Sequence, residues 1–227
     1  MLPMPAACWL CRMPLKLAHH GICCVCLHQL WQQPPVCPRC GLPSGNTARL
    51  CGRCLLRPPY WQYLLAITPW QPPLKRLVNR LKFYRATAQS VMFARLILLR
   101  WQAAHRCQQL RRPDILLSVP LHHHRAWQRG YNQLEDIARK LAHWTGCHYD
   151  RQGLVRIRRG KVQHHLNAQA RRRNLRGAFR IKADVCGKHI ALLDDVVTTG
   201  STVAEISRIL LNAGAASVQI WCLCRTL

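Results

Sequence analysis

A small cysteine-rich unit held by metal, followed by an α/β domain with a parallel sheet flanked by helices, is the fold class this sequence predicts. Three observations predict it. Four Cys-x-x-Cys pairs crowd the first 54 residues, a strand-helix-strand pattern closes the chain, and an acidic then hydroxyl-rich string spans 190–202 where strand meets helix. The chain has 227 residues, 49% hydrophobic and 19% charged. That supplies one ordinary core and a small appendix, and it excludes a disordered chain and a large multidomain enzyme.

The cysteine pairs are Cys8/Cys11, Cys23/Cys26, Cys37/Cys40 and Cys51/Cys54. Eleven residues separate the first two pairs and ten the last two, so the segment reads as one unit used twice. Two thiolates three positions apart on a tight turn can face one ion, and a second pair completes a tetrahedron. The spacing therefore predicts two closed, structural Zn2+ sites, one held by Cys8, Cys11, Cys23 and Cys26 and the other by Cys37, Cys40, Cys51 and Cys54. Gly41 and Gly52, each following a cysteine, are read as giving the turns their backbone freedom. Free or disulfide-paired cysteines are the competing reading, which the doubled spacing disfavours. A unit of about 55 residues this poor in aliphatic side chains would hardly fold without metal.

The N-terminus lacks a clean apolar stretch of the kind an export signal needs, and the most hydrophobic run, 91–99, is interrupted by Arg95. A cytoplasmic protein without membrane insertion is expected, and in that reducing compartment clustered cysteines hold metal. Lys and Arg number 34 against 8 Asp and Glu, a formal charge of +26. The first 113 residues carry 16 basic residues and no acid. A polyanionic partner is the economical explanation.

The cysteine unit is assigned to 1–57. A boundary at 58–73 holds Pro58, Pro59, Pro69, Pro72 and Pro73 with Trp61 and Trp70, and the α/β domain occupies 74–227. Leu74, Leu77, Val78 and Leu81 fall at helical spacing among Lys75, Arg76, Arg80 and Lys82, an amphipathic basic helix. A second helix is expected through about Arg106, a buried strand at 115–119, a loop at 122–133 and a helix over 135–144. Residues 151–182 contain eleven basic residues and no acid, which predicts a mobile basic flap or hairpin. A strand at 190–193, a helix at 202–211 and a strand at 216–224 then imply parallel pairing.

The string Ile190-Ala-Leu-Leu-Asp194-Asp195-Val-Val-Thr198-Thr199-Gly200-Ser201-Thr202 carries the chemistry. A hydrophobic strand ends in two carboxylates at the sheet edge where open α/β folds bind ligands. The hydroxyl-rich turn then opens a helix, so N–H groups and hydroxyls converge at its positive end. Carboxylates suit sugar hydroxyls and the turn suits a phosphomonoester, so a ribose 5-phosphate group is the predicted ligand. An acidic strand end before an ordinary helix cap is the bland alternative, and no Gly-Lys-Ser/Thr follows to make a P-loop.

These thirteen positions resemble the 5-phosphoribosyl 1-diphosphate (PRPP) motif of type I phosphoribosyltransferases. With the cysteine array in front, the whole chain resembles the ComF/GntX family, which joins an N-terminal double zinc ribbon to a phosphoribosyltransferase-like domain. Val119-Pro120 with Arg125, then Arg129-Gly130-Tyr131-Asn132-Gln133, and the string Gln163 through Arg172, Asn174, Ala178 and Phe179 add to it. Tyr131 stands where relatives usually have phenylalanine, and a threonine common near 160–162 is missing. The resemblance implies that Asp194 and Asp195 hold the ribose hydroxyls and act as the catalytic pair, and that Thr198, Thr199, Gly200, Ser201 and Thr202 bind the 5-phosphate. It places Arg125, Arg129 and Gly130 near the pyrophosphate, with Mg2+ accompanying PRPP. It also implies a role in DNA uptake or utilisation, while the acid-free basic segments point to single-stranded DNA as a partner. Two alternatives stay open: an active phosphoribosyltransferase with another acceptor, and a noncatalytic adaptor that binds nucleotides or a DNA end while the ribbons recruit a helicase or strand-exchange factor. His122, His123 and His124 read as a solvated loop, Cys222 and Cys224 as core packing, and the run Arg171 to Arg173 as either a solvated face or a nucleic-acid footprint.

Overall fold

The computed structural model describes residues 6–83, 87–107, 110–120, 132–158 and 175–227. Its centre is a five-stranded, all-parallel sheet. The strands are β1 (Tyr63–Pro69), β2 (Ile115–Ser118), β3 (His148–Tyr149), β6 (His189–Val197) and β7 (Ser217–Arg225), ordered β1-β7-β6-β2-β3. β4 (Leu154–Arg156) and β5 (Phe179–Ile181) form a separate antiparallel pair. This pair falls within 151–182, the segment expected to be a basic flap or hairpin; its 159–174 portion lies outside the described residues.

Helices cover both faces, as parallel sheets require. The short helices α1 (Cys24–Trp31) and α2 (Gly52–Leu56) belong to the cysteine unit, while α3 (Leu74–Phe83), α4 (Ser90–Arg106) and α5 (Glu135–Thr145) lie on one face of the sheet. On α3 the stripe Leu74, Leu77, Val78 and Leu81 is at most 3% exposed, so the helical spacing buries its apolar side and leaves its basic side out. On α5, Glu135 and Asp136 occupy the first turn, where carboxylates favour the helix N-terminus, and Gly146 closes the helix in the left-handed region at φ 68°. The opposite face is covered by α6 (Ser201–Asn212), which buries Val203, Ile206 and Leu210 against Ile190, Leu192, Val218 and Ile220. Cys222 and Cys224 are fully buried in β7, as core residues.

The sheet begins inside the proline-rich stretch 58–73, because Tyr63, Leu64, Leu65, Ile67 and Thr68 are strand formers between prolines and pair in parallel with β7. β6 runs on to Val197, so Asp194 and Asp195 are its sixth and seventh residues of nine; β7 extends the ladder by pairing Cys224 with Val196 and Arg225 with Val197. No helix among the described residues is long and apolar enough to cross a membrane.

Candidate ribose phosphate site and metal centres

The cysteine unit is a structural repeat. Ala7 bridges Pro14 in the first copy, and Val36 bridges Pro43 in the second. In each, the residue after the second cysteine takes φ 68°: Arg12 in the first copy, Gly41 in the second. Its N–H closes the turn onto the first cysteine's carbonyl, Arg12 to Cys8 at 3.0 Å and Gly41 to Cys37 at 2.8 Å. The conformation that glycine makes cheap at 41 is thus held by an arginine at 12. Gly52 behaves otherwise than expected. It starts α2, and a Cβ there would meet nothing within 4 Å.

The four Sγ atoms of Cys8, Cys11, Cys23 and Cys26 lie within 4.8 Å of one another, as do those of Cys37, Cys40, Cys51 and Cys54. Thiolates about 2.3 Å from a tetrahedral Zn2+ stand about 3.8 Å apart. Cys11 to Cys23 and Cys40 to Cys51 are both 3.7 Å. Backbone N–H groups also point at the sulfurs, Cys23 to Cys8 and Cys51 to Cys37, each at 3.4 Å. Burial pushes the Cys8 thiol up, but the N–H groups of Cys11, Cys23 and Leu10 outweigh it and leave it near 6; Cys37 is lowered to about 7 in the same way, with burial opposed by N–H groups of Cys51, Cys40 and Arg39. Burial and the neighbouring sulfurs raise Cys26 and Cys54, so it is the spacing of the four sulfurs in each cluster that preorganises the donor set for a metal. Cys24, exposed at the start of α1, stays outside the cluster.

The two units are lodged differently. The first shares the core of α3, α4 and α5 through Cys8, Ile22, Cys26 and Leu30. The second has its own small cluster of Cys37, Cys40 and Cys54. It is tied to the sheet by polar links. Arg39 Nε donates to the Trp61 carbonyl while Trp61 Nε1 donates to that of Arg39, and the Leu64 N–H donates to the Pro38 carbonyl at 2.9 Å.

At the carboxyl edge of the sheet, Asp194 and Asp195 stand side by side, and the chain turns through 198–200 into α6. Gly200 caps α6 with φ 78°, and a Cβ there would lie 3.3 Å from Trp61 Cη2. Both the left-handed backbone and the close approach of the indole favour glycine here. Thr199 Oγ1 and Ser201 Oγ are 2.8 Å apart at the opening of the helix. Asp194 Oδ1 accepts the Asp195 N–H at 2.8 Å, and Asp195 Oδ1 accepts that of Val196 at 2.6 Å. Burial, reinforced by the charge of Asp195, raises the Asp194 carboxyl to about 7.

The string therefore brings Asp194, Asp195, Thr198, Thr199, Gly200, Ser201 and Thr202 to one edge. Arg125, Arg129 and Gly130 lie outside the described residues, as do His122 to His124. Sequence reasoning missed Lys82, whose Nζ is 3.1 Å from Asp195 Oδ2, and Gln133, whose Nε2 donates to the same oxygen at 3.0 Å. It also missed Arg225. That side chain, 7% exposed, donates from Nε to the Cys40 carbonyl at 2.9 Å and from Nη1 to the carbonyls of Val197 and Thr198, which links the second cysteine unit to the hydroxyl-rich turn.

The double zinc ribbon domain family matches residues 2–55, and the phosphoribosyl transferase domain family matches residues 128–227. Over 227 residues, covering 100% of both chains, the chain is 51% identical to the DNA utilization protein YhgH of Salmonella typhi. It is 48% identical over the same span to the DNA utilization protein YhgH of Escherichia coli (strain K12). Competence protein F of Haemophilus influenzae is 36% identical over 218 residues, 95% of each chain.

Proposed function

The chain belongs to the ComF/GntX family of double zinc ribbon and phosphoribosyl transferase proteins, and from that premise we propose that it binds PRPP or a related ribose phosphate in the service of DNA utilisation. One observation carries the reading: two carboxylates at the end of β6 adjoin a glycine-capped, hydroxyl-rich helix start.

Asp194 and Asp195 accept hydrogen bonds from the ribose hydroxyls. Thr198, Thr199, Gly200, Ser201 and Thr202 receive the 5-phosphate, whose charge suits the N–H groups and positive end of α6. Arg125, Arg129 and Gly130 approach the diphosphate. Lys82 and Gln133 hold the Asp195 carboxylate oriented toward the sugar hydroxyls it is to bind. Mg2+, when bound with PRPP, supplies charge neutralisation at the diphosphate, and hard carboxylate oxygens are the donor type it takes. The protein works in the cytoplasm, its surplus of basic residues faces single-stranded DNA, and the ribbons recruit a helicase or strand-exchange factor.

Calorimetric titration of the zinc-replete protein with PRPP and Mg2+ tests this, with wild type and Asp195→Asn compared and pyrophosphate assayed in the same samples. PRPP binding lost in the variant, with zinc retained, is the expected result; equal affinity in both proteins would overturn the site assignment. Released pyrophosphate would add transfer at ribose C1 to binding. Single-stranded DNA binding is read separately, and its affinity should fall steeply with salt.

A further inference from the structure

The phosphate-binding turn does not close on itself. On its far side a cleft of about 620 Å³ opens between Thr199, Gly200 and Ser201 and the second zinc ribbon. That is the size range of cavities that enclose a whole small ligand, about 300–1,000 Å³, where a terminal phosphate would need only the turn. Its walls are cationic. Arg53 and Arg57 come from the ribbon side, Arg176 from the segment before β5, and Arg225 from the end of β7. Glu205 is the acid in the wall, and it is neutralised by Arg208, whose Nη2 and Nε donate to its two oxygens at 2.7 and 3.0 Å. Arg225 is 7% exposed and spends its donors on main-chain carbonyls, so it sets the charge of the wall while Arg53 and Arg57 stay exposed. Four arginines around one cleft, against a single acid that Arg208 already neutralises, favour an anion in it.

We propose that this cleft is a second phosphate subsite, so that the preferred ligand is a ribose 5-phosphate whose phosphate carries a further phosphoryl or phosphodiester group, contacted by Arg53 and Arg57. The inference rests on the ribose phosphate reading of the β6–α6 turn and extends it past the 5-phosphate. The ribbon then forms one wall of the ligand site.

The test is binding to the full-length, zinc-replete protein of ribose 5-phosphate and of ADP-ribose, whose distal ribose carries a substituted 5-phosphate. Wild type should bind ADP-ribose at least about tenfold more tightly, the worth of one or two charge-assisted hydrogen bonds. Arg53→Gln/Arg57→Gln should erase that advantage while keeping its zinc and holding ribose 5-phosphate affinity within about twofold, a margin well under one such bond. Equal affinity of wild type for the two ligands, or an equal fall for both in the double variant, would overturn the subsite alone. Failure of wild type to bind ribose 5-phosphate would overturn the underlying site and the subsite with it. The dinucleotide pApA, which carries a second phosphate beyond its internal diester, separates the sources when compared with AMP: an advantage shared by pApA points to a nucleic-acid end, and one confined to ADP-ribose points to a nucleoside diphosphate.

Discussion

Lys82 on α3 and Asp195 on β6 meet through a 3.1 Å ion pair at the carboxyl edge of the sheet, the lysine 16% exposed and the aspartate 19%. Lys82 also stands 5.4 Å above the ring of Trp70, so its position is fixed from two sides. Removing it leaves two adjacent, half-buried carboxylates, with Gln133 the remaining side-chain donor to Asp195 among the described residues. Lys82→Met should lower the unfolding free energy by about 1–2 kcal/mol, between the exposed and fully buried cases. In an Asp195→Asn background the same change should cost well under 1 kcal/mol. Denaturant titration of the four proteins checks this, and equal costs in the two backgrounds would show that the pair is not coupled.

Asp194 gives the fold a pH dependence of opposite sign to a salt-bridged acid. Burial, then the Asp195 charge, raises its folded carboxyl to about 7 against roughly 3.9 in an unfolded chain. Between those values the folded state holds a proton that the unfolded state lacks. Its contribution therefore weakens stability as pH rises from about 4 to 7 and is constant above. The difference between wild type and Asp194→Asn, followed by denaturation from pH 5 to 8, should move in favour of the variant as pH rises. A difference independent of pH would contradict the raised carboxyl.

The two ribbons should respond differently to loss of a ligand. Cys8→Ser and Cys37→Ser should each release about half the zinc, since each breaks one four-cysteine cluster. Cys8 belongs to the core beneath α3, α4 and α5, whereas Cys37 belongs to a separate cluster. Cys8→Ser should thus lower the melting temperature of the whole protein, and Cys37→Ser should leave the sheet's transition nearly in place. Metal analysis with thermal melts followed by circular dichroism distinguishes them.

Gly200 and Gly52 make a paired test of backbone against space. Gly200→Ala places a side chain at φ 78° and against Trp61, and should cost about 1–2 kcal/mol and weaken ribose phosphate binding. Gly52→Ala adds a methyl group in open space at the first helical position of α2 and should stabilise by a few tenths of a kcal/mol. Comparable losses from both would mean that the turn at 200 is not strained by a side chain.

Local chemistry was legible in the sequence wherever a short segment carried its own pattern. The cysteine spacing specified both metal clusters, and the string 190–202 specified strand, carboxylates, turn and helix. Lys82 was legible only as one charge on the solvated side of a basic helix, because its nearness to Asp195 arises from the packing of α3 against the sheet. Arg225 follows Cys224 at the end of a strand and has no local signal; its role comes from what the crossover connections bring to the same edge. β1 was masked by the prolines around it. The glycine rule held at 41 and failed at 52 and 12, where helix entry and turn hydrogen bonds decide the backbone.

The order of strands in the sheet also sets an order in time. β1 is made from residues 63–69, yet its sheet partner among the described residues is β7, formed by 217–225 at the very end of the chain. While the protein is being synthesised, the first strand emerges early and must wait for nearly all the rest before its ladder can close, a long-range pairing that folds slowly. The metal units that precede it need no such wait, because all their ligands are complete by residue 54. A nascent chain can therefore load metal first, and the ribbon segment whose Pro38 carbonyl accepts the Leu64 N–H can hold β1 in place until the last strand arrives.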